Sequence, residues 1–298
     1  MTPGSPEWQK LVTASKVAAI LGVSPWESPR SMWHKMRGDL PAEPPNKTQS
    51  RGTFLEPAIL AWWRDRHGVP TAASVAIDDQ WAEVYEEQPE YALDNWAAAT
   101  PDARAWVDGQ PVLVEAKSTN SLDDWGDEGT DAIPTYYLVQ VMWQMHVSGI
   151  HRCYVPIIGP RLEFGEYVVD YVPEWGQQLE QHVRAFYDSL AGDEPPDLDD
   201  SKATYEAVRR VHRLIEADST VEIDPIAAHD LVQTNAKAKA LEPELRRAKS
   251  VAIDAMGTAR YLTCNGVRIA RRQPRGDDVT FVITAKPADL DTELENAS

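Results

Sequence analysis

Four side chains combine acidic oxygens with one fixed cation: Glu56 shortly after Gly52, Asp102 in Thr100-Pro101-Asp102, and Glu115 with Lys117 in Glu115-Ala116-Lys117. Side chains alternate along a strand, so Glu115 and Lys117 project to one face and Ala116 to the other. The preceding Val112-Leu113-Val114 has the composition of a buried strand, an unusual place to end on two charges. Buried charge is costly unless a partner or a metal offsets it. Three carboxylates around one point suit a hard divalent ion, Mg2+ with Mn2+ as its substitute. A neighbouring ammonium can orient an attacking water or help to deprotonate it. That combination is the chemistry of phosphodiester hydrolysis. Taken singly the residues also have structural readings: Glu56 as an acid in a helix's first turn, Asp102 as a turn residue after proline.

The elements that must carry these residues can be read from spacing and punctuation. Thr13 reads as the N-cap of a short helix through Leu21 followed by Gly22, and Ser28-Pro29 opens a second helix closed by Gly38. Residues 39–50 read as a loop. Leu55, Ile59, Trp62, Trp63 and Arg66 fall at helical spacing, which sets Glu56 near the start of a third helix. Strands are expected at Ser74–Ile77, around Tyr91–Ala98, at Ala103–Val107 and at Val112–Ser118. An acidic, solvated loop, Leu122–Asp131, precedes a helix over Thr135–Ser148 that places Gln140 and Gln144 on one face. Cys153–Ile158 and Glu163–Tyr171 then read as a hairpin around Gly159-Pro160, followed by a helix from Glu174 to Leu190. The pattern predicts an α/β core with a central mixed sheet flanked by helices.

Order and flanks strengthen the motif. The segments are Thr13-Ala14-Ser15-Lys16-Val17-Ala18-Ala19-Ile20-Leu21-Gly22-Val23-Ser24-Pro25-Trp26, then Gly52-Thr53-Phe54-Leu55-Glu56-Pro57, then Thr-Pro-Asp102, then Glu115-Ala116-Lys117. Tyr136-Tyr137-Leu138-Val139-Gln140-Val141-Met142-Trp143-Gln144-Met145 follows them. In this order they resemble the YqaJ-like viral recombinases, relatives of lambda exonuclease in the PD-(D/E)xK nuclease superfamily. The resemblance implies a restriction-endonuclease-like core and a Mg2+-dependent exonuclease on linear double-stranded DNA, 5′ to 3′, supplying single strands for phage-type recombination. It implies Glu56, Asp102, Glu115 and the Ala116 carbonyl as metal ligands, Lys117 at the nucleophilic water and Gln140 near it, with Gln144 toward DNA. It also implies a ring-shaped trimer and a single-strand annealing protein as partner. One departure concerns the 5′ end. The family's phosphate-gripping arginine is absent from Glu7-Trp8-Gln9-Lys10-Leu11-Val12, which leaves Lys10, with Ser15, as a point charge without a bidentate grip.

Composition bounds the reading. The chain has 298 residues, 43% of them hydrophobic, enough for a sizeable core. No window is long and apolar enough for a membrane span, and Met1–Pro6 lacks the pattern of a signal peptide, so a cytoplasmic location is expected. Cys153 and Cys264 fit neither a disulfide framework nor a four-ligand zinc or iron-sulfur site and read as buried thiols. The net charge of −18 opposes a DNA-binding role until its distribution is seen. Residues 1–199 hold 14 Lys and Arg against 31 Asp and Glu, residues 200–276 hold 14 against 10, and the last 22 residues hold 1 against 6. An acidic exterior is compatible with a channel lined by cations.

The acidic, proline-rich Asp193–Asp197 divides the chain into residues 1–199, the PD-(D/E)xK exonuclease domain, and residues 200–298, a helical and hairpin extension. That extension reads as a helix over Lys202–Glu216, a long helix over Pro225–Met256, and a hairpin turning at Asn265-Gly266. Arg268, Arg271, Arg272 and Arg275 could touch phosphates or form a solvated face. Two other functions fit the same residues: a catalytically silent DNA-end-binding or assembly module, and an endonuclease or RecB-type nuclease. The chain has no Walker lysine motif, so any motor would be a separate chain.

Overall fold

The computed structural model describes residues 9–41, 44, 46–69, 85–276, 278–285 and 287. The strand expected at Ser74–Ile77 and residues Glu7 and Trp8 lie outside them. The chain divides into two compact units, Met1–Ile215 and Glu216–Ser298.

In the first unit the chain runs β1 (Val12–Thr13), α1 (Ala14–Ile20), α2 (Pro29–Arg37), α3 (Lys47–Arg66), β2 (Tyr85–Glu87), β3 (Tyr91–Leu93), β4 (Ala97–Ala99) and β5 (Ala103–Val107). It continues with β6 (Gln110–Val114), β7 (Lys117–Ser118), α4 (Thr135–Ser148), β8 (Arg152–Ile158), β9 (Phe164–Asp170), α5 (Pro173–Ser189) and α6 (Lys202–Val211). The main sheet has the order β2-β5-β6-β8-β7, with β9 also paired to β8. Its pairings are antiparallel except those of β6 and β7 with β8, so the expected mixed α/β core is present. Leu113 faces Cys153 and Lys117 faces Ile157, the same offset, so β6 and β7 are one strand path interrupted at Glu115-Ala116.

Helices cover both faces of this sheet. Val112 and Val114 pack with Leu60 and Trp63 of α3, while Leu113 packs with Val141, Met142 and Met145 of α4. Alternation along the strand produces this division. Trp143, on another side of α4, enters a third cluster with Val17 of α1, Trp33 of α2, Trp96 and Phe186. Apolar on several sides, α4 is enclosed by sheet and helices, as such a helix must be. Capping explains several boundaries. Ser28 and Ser31 form a reciprocal box at the start of α2, and Gly38 ends it in the left-handed region at φ 84°.

Several expectations require correction. α3 begins at Lys47, capped by Asn46 with Gln49, inside the segment expected as loop, so Glu56 stands in mid-helix. Gly52 and Pro57 obscure a helix whose first turns are set by that capping box. The stretch Tyr91–Ala98 is two short strands folded back at Asp94, where φ is 52°. The division expected at residue 199 falls after Ile215: α6 packs with the first unit, the Thr204 hydroxyl donating to Ser28 Oγ at 2.7 Å and Arg30 donating to the Pro196 carbonyl at 2.6 Å.

The second unit contains α7 (Pro225–Met256) and the antiparallel strands β10 (Tyr261–Cys264), β11 (Val267–Arg275) and β12 (Asp278–Ile283). Asn265 and Gly266, both at positive φ, turn β10 into β11 as the sequence indicates. β12 was not expected from the sequence. Cys153 is buried, but Cys264 is exposed and so is not the buried thiol anticipated. Among the described residues no helix is long and apolar enough to cross a membrane.

Trp143 is fully buried where α4 meets α1. Trp143→Ala should lower the stability of the first unit by about 3–5 kcal/mol, read from urea denaturation. A loss under about 1 kcal/mol would contradict the enclosed position of α4.

Candidate active site

The site forms where β5 begins and the β6–β7 path is interrupted. Ala103 pairs with Val114, so Asp102 stands beside Glu115 just beyond the end of the β5 ladder. With no strand continuing there, the backbone N–H of Ala116 needs another acceptor, and it donates to Asp102 Oδ2 at 2.7 Å. Glu115 stays on the β8 edge, its own N–H donating to the Tyr154 carbonyl at 2.9 Å.

Glu115 is 3% exposed. A carboxylate at that depth needs its oxygens satisfied. Oε1 accepts from Lys117 Nζ and from Gln140 Nε2, both at 2.5 Å, and Oε2 accepts from Gln144 Nε2 at 2.8 Å. Glu115 and Lys117 therefore share the α4 face, as alternation requires. The Lys117 ammonium also sits 5.0 Å from the centroid of the Tyr137 ring, a cation–π contact from the first turn of α4. Burial works against that ammonium, but Glu115 and Asp102 beside it outweigh burial and hold it above the usual lysine range. It is a fixed cation at neutral pH.

Burial, then the neighbouring Glu115, pushes the Asp102 carboxyl well above its ordinary range, with Glu56 adding to the effect. Burial likewise raises Glu56, on α3, and Glu115 raises it further, while a hydrogen bond from the Gln88 side chain works the other way. Gln88 thus borders the site, although no local pattern marks it in the sequence. Its backbone N–H donates to the Asp102 carbonyl at 2.9 Å and its φ is 50°, a left-handed conformation uncommon outside glycine.

These residues open onto a cavity of about 1150 Å³ whose walls include Glu56, Asp102, Glu115, Ala116, Lys117 and Tyr137, and also Ser15, Lys16 and Lys35. Lys16 is buried beside it, donating to the Gln9 and Leu11 carbonyls at 2.8 and 2.6 Å, and burial lowers its ammonium to about 8. Lys10 is exposed and is not among the cavity walls, which with Ser15 include Lys16, Lys35 (paired with Glu27) and Lys47.

Gln144 requires a correction. It is 1% exposed and bonded to Glu115, so it positions the carboxylate and has no surface to offer DNA. Arg272 is also corrected, for its guanidinium is committed to the Gly257 carbonyl at 2.6 Å and the Ala259 carbonyl at 3.0 Å, closing the end of α7. Arg268 lies over the Tyr261 ring at 4.2 Å, and Arg271 is exposed; both belong to the second unit.

Among the described residues no three His, Cys, Asp or Glu side chains stand as a ready metal-ligand set. The chemistry of the donor set nevertheless fits a hard dication. Asp102 and Glu56 are raised by burial and by the neighbouring Glu115, so ionising them costs free energy that a bound dication would offset.

A buried carboxylate, Glu115, with the half-buried Asp102 beside it and one fixed ammonium, stands at a strand end on a mixed sheet flanked by helices. Residues 7–151 match the YqaJ-like viral recombinase domain. A curated relative, "Uncharacterized protein YqaJ" of Bacillus subtilis (strain 168), is 25% identical over 235 residues, which are 75% of this chain. The chain spans 66% of that relative's length. Among solved structures it is similar to the alkaline exonuclease LHK-Exo from Laribacter hongkongensis. That likeness has a TM-score of 0.45 at 19% identity and covers 61% of this chain and 89% of that one. A phage related exonuclease from Haemophilus somnus 129PT gives a TM-score of 0.43 at 12% identity, covering 61% and 95%.

The direction of the carboxyl shifts sets a pH dependence. Asp102 and Glu56 hold protons more tightly folded than unfolded, so their stabilisation is complete below the unfolded carboxylate range and is lost as pH rises through the raised values. Asp102→Asn keeps an oxygen for the Ala116 N–H and cannot ionise. In the presence of chelator, the variant should become progressively more stable than wild type as pH rises from about 4 to about 8, read from paired urea denaturations. Parallel curves would show that ionised Asp102 costs the fold nothing.

Proposed function

We propose that the protein is a Mg2+-dependent deoxyribonuclease that degrades linear double-stranded DNA from its ends, 5′ to 3′, in recombination. The observation that carries this reading is the buried Glu115 carboxylate, bridged to the fixed Lys117 ammonium and flanked by Asp102, at the wall of an open cavity. Glu56, Asp102, Glu115 and the Ala116 carbonyl would hold the ion, with Mn2+ as a substitute. The ion supplies Lewis acidity and neutralises charge at the scissile phosphate.

The protein's own groups do the rest. Lys117, held protonated by Glu115 and Asp102, acts as a hydrogen-bond donor that orients the attacking water and offsets charge gathering on the phosphoryl oxygens. Its protonation argues against a role as general base. Gln140 and Gln144 fix the orientation of Glu115, and the Ala116 N–H fixes that of Asp102. A terminal 5′ phosphate would be received at Ser15, with Lys35 and Lys47 of the same cavity wall as the nearby charges. The DNA end is the substrate, and a single-strand annealing protein is the partner that would take up the product strand.

Digestion of linear duplexes labelled at the 5′ or the 3′ end, beside a closed circle, tests the proposal. Wild type with Mg2+ should release the 5′ label first, spare the circle and stop in chelator. Glu115→Gln should be inactive, and Lys117→Ala should lose about 10²–10³-fold in kcat. End binding without release of either label would favour the silent module, and nicking of the circle would favour an endonuclease.

A further inference from the structure

The helix α7 is 32 residues long, about 48 Å at 1.5 Å per residue, and carries leucines that stand exposed among the described residues. Leu231, Leu241 and Leu245 are 67%, 61% and 50% exposed. They belong to one seam. In alternating steps of three and four residues, Leu231, Thr234, Ala238, Leu241, Leu245 and Ala248 follow one another down the helix, the repeat of a coiled-coil interface. Pro243, inside the helix, lies on the face opposite this seam. An exposed apolar stripe with that repeat marks a helix made to pack against another.

We propose that α7 pairs antiparallel with α7 of a second copy of this chain. The occupant follows from the seam's own complementarity. Laid antiparallel, Leu231, Thr234 and Ala238 face Ala248, Leu245 and Leu241 of the second copy. No layer then sets leucine against leucine, and a single interhelical spacing serves the whole length. A parallel pair sets leucine on leucine at residues 231, 241 and 245 but alanine on alanine at 238 and 248, which demands two spacings within a few turns.

Flanking charges select the same register. Lys237 and Glu244 border one side of the seam, and in this arrangement each Lys237 faces Glu244 of the other copy, while Glu242 faces the neutral Asn235. Sliding one heptad brings Glu244 against Glu244 and Glu242 against Glu242, so like charges disfavour that alternative. Exposed ion pairs contribute little by themselves. The matched layers hold the helices together, and the charges set their alignment.

The full chain tests this by light scattering after size exclusion. The combined variant Leu241→Glu with Leu245→Glu, unchanged in helix content by circular dichroism, should have half the mass of wild type. Equal masses, or a monomeric wild type, would overturn the proposal. Orientation is read by oxidation in a Cys264→Ser background. Leu231→Cys mixed with Ala248→Cys should cross-link between the two proteins, and neither should cross-link alone. Self-cross-linking of each single variant without the mixed product would overturn the antiparallel pairing.

Discussion

A carboxylate at 3% exposure in the middle of a protein has to be solvated by the protein itself, and the burial of Glu115 organises everything around it. Its oxygens take three donors, two from glutamines one turn apart on α4 and one from Lys117. For those glutamines to reach, α4 must lie directly over the β6–β7 path, and it is held there by Met142 and Met145 below and Trp143 behind. The apolar core and the polar site are therefore one arrangement. The residues that enclose α4 also fix the direction of the Glu115 carboxylate.

The sheet supplies the second half of the arrangement by stopping. β5 begins only at Ala103, after Pro101, so the Ala116 N–H on the adjacent path loses its ladder partner and takes Asp102 instead. Two carboxylates thereby stand side by side at the end of a hydrophobic strand, and Glu56 on α3 approaches from the other face of the sheet. Burial, then the charge of Glu115, raises Asp102 and Glu56, while Glu115 and Asp102 keep Lys117 charged. The centre holds excess negative charge that Lys117 only partly offsets.

Much of this was legible in the sequence because it rests on local rules. Ser28-Pro29 and Gly38 bracket α2, the apolar run Cys153–Ile158 and Glu163–Tyr171 around Gly159-Pro160 mark the β8–β9 hairpin, and Glu115-Ala116-Lys117 following an aliphatic run locates the centre. What escaped depends on tertiary structure. Gln144 looks like a surface polar residue until Glu115 is placed over it, and Gln88 carries no local signal because its role comes from the Asp102 carbonyl and the Glu56 side chain. The start of α3 was hidden because Gly52 and Pro57 are poor helix residues whose cost the Asn46 cap and the packing of Trp63 offset. α6 was assigned to the wrong unit because the proline-rich segment before it resembles a linker, yet Arg30 grips that segment through the Pro196 carbonyl.

The proposed function requires that Asp102, Glu115 and Glu56 together bind a divalent cation. Thermal unfolding of the DNA-free protein with and without millimolar Mg2+ tests it directly, since a ligand that binds only the folded state raises its melting temperature. A rise is expected for wild type and for Lys117→Ala, and none for Asp102→Asn or Glu115→Gln. An equal rise in Asp102→Asn and Glu115→Gln, or no rise in wild type, would contradict it.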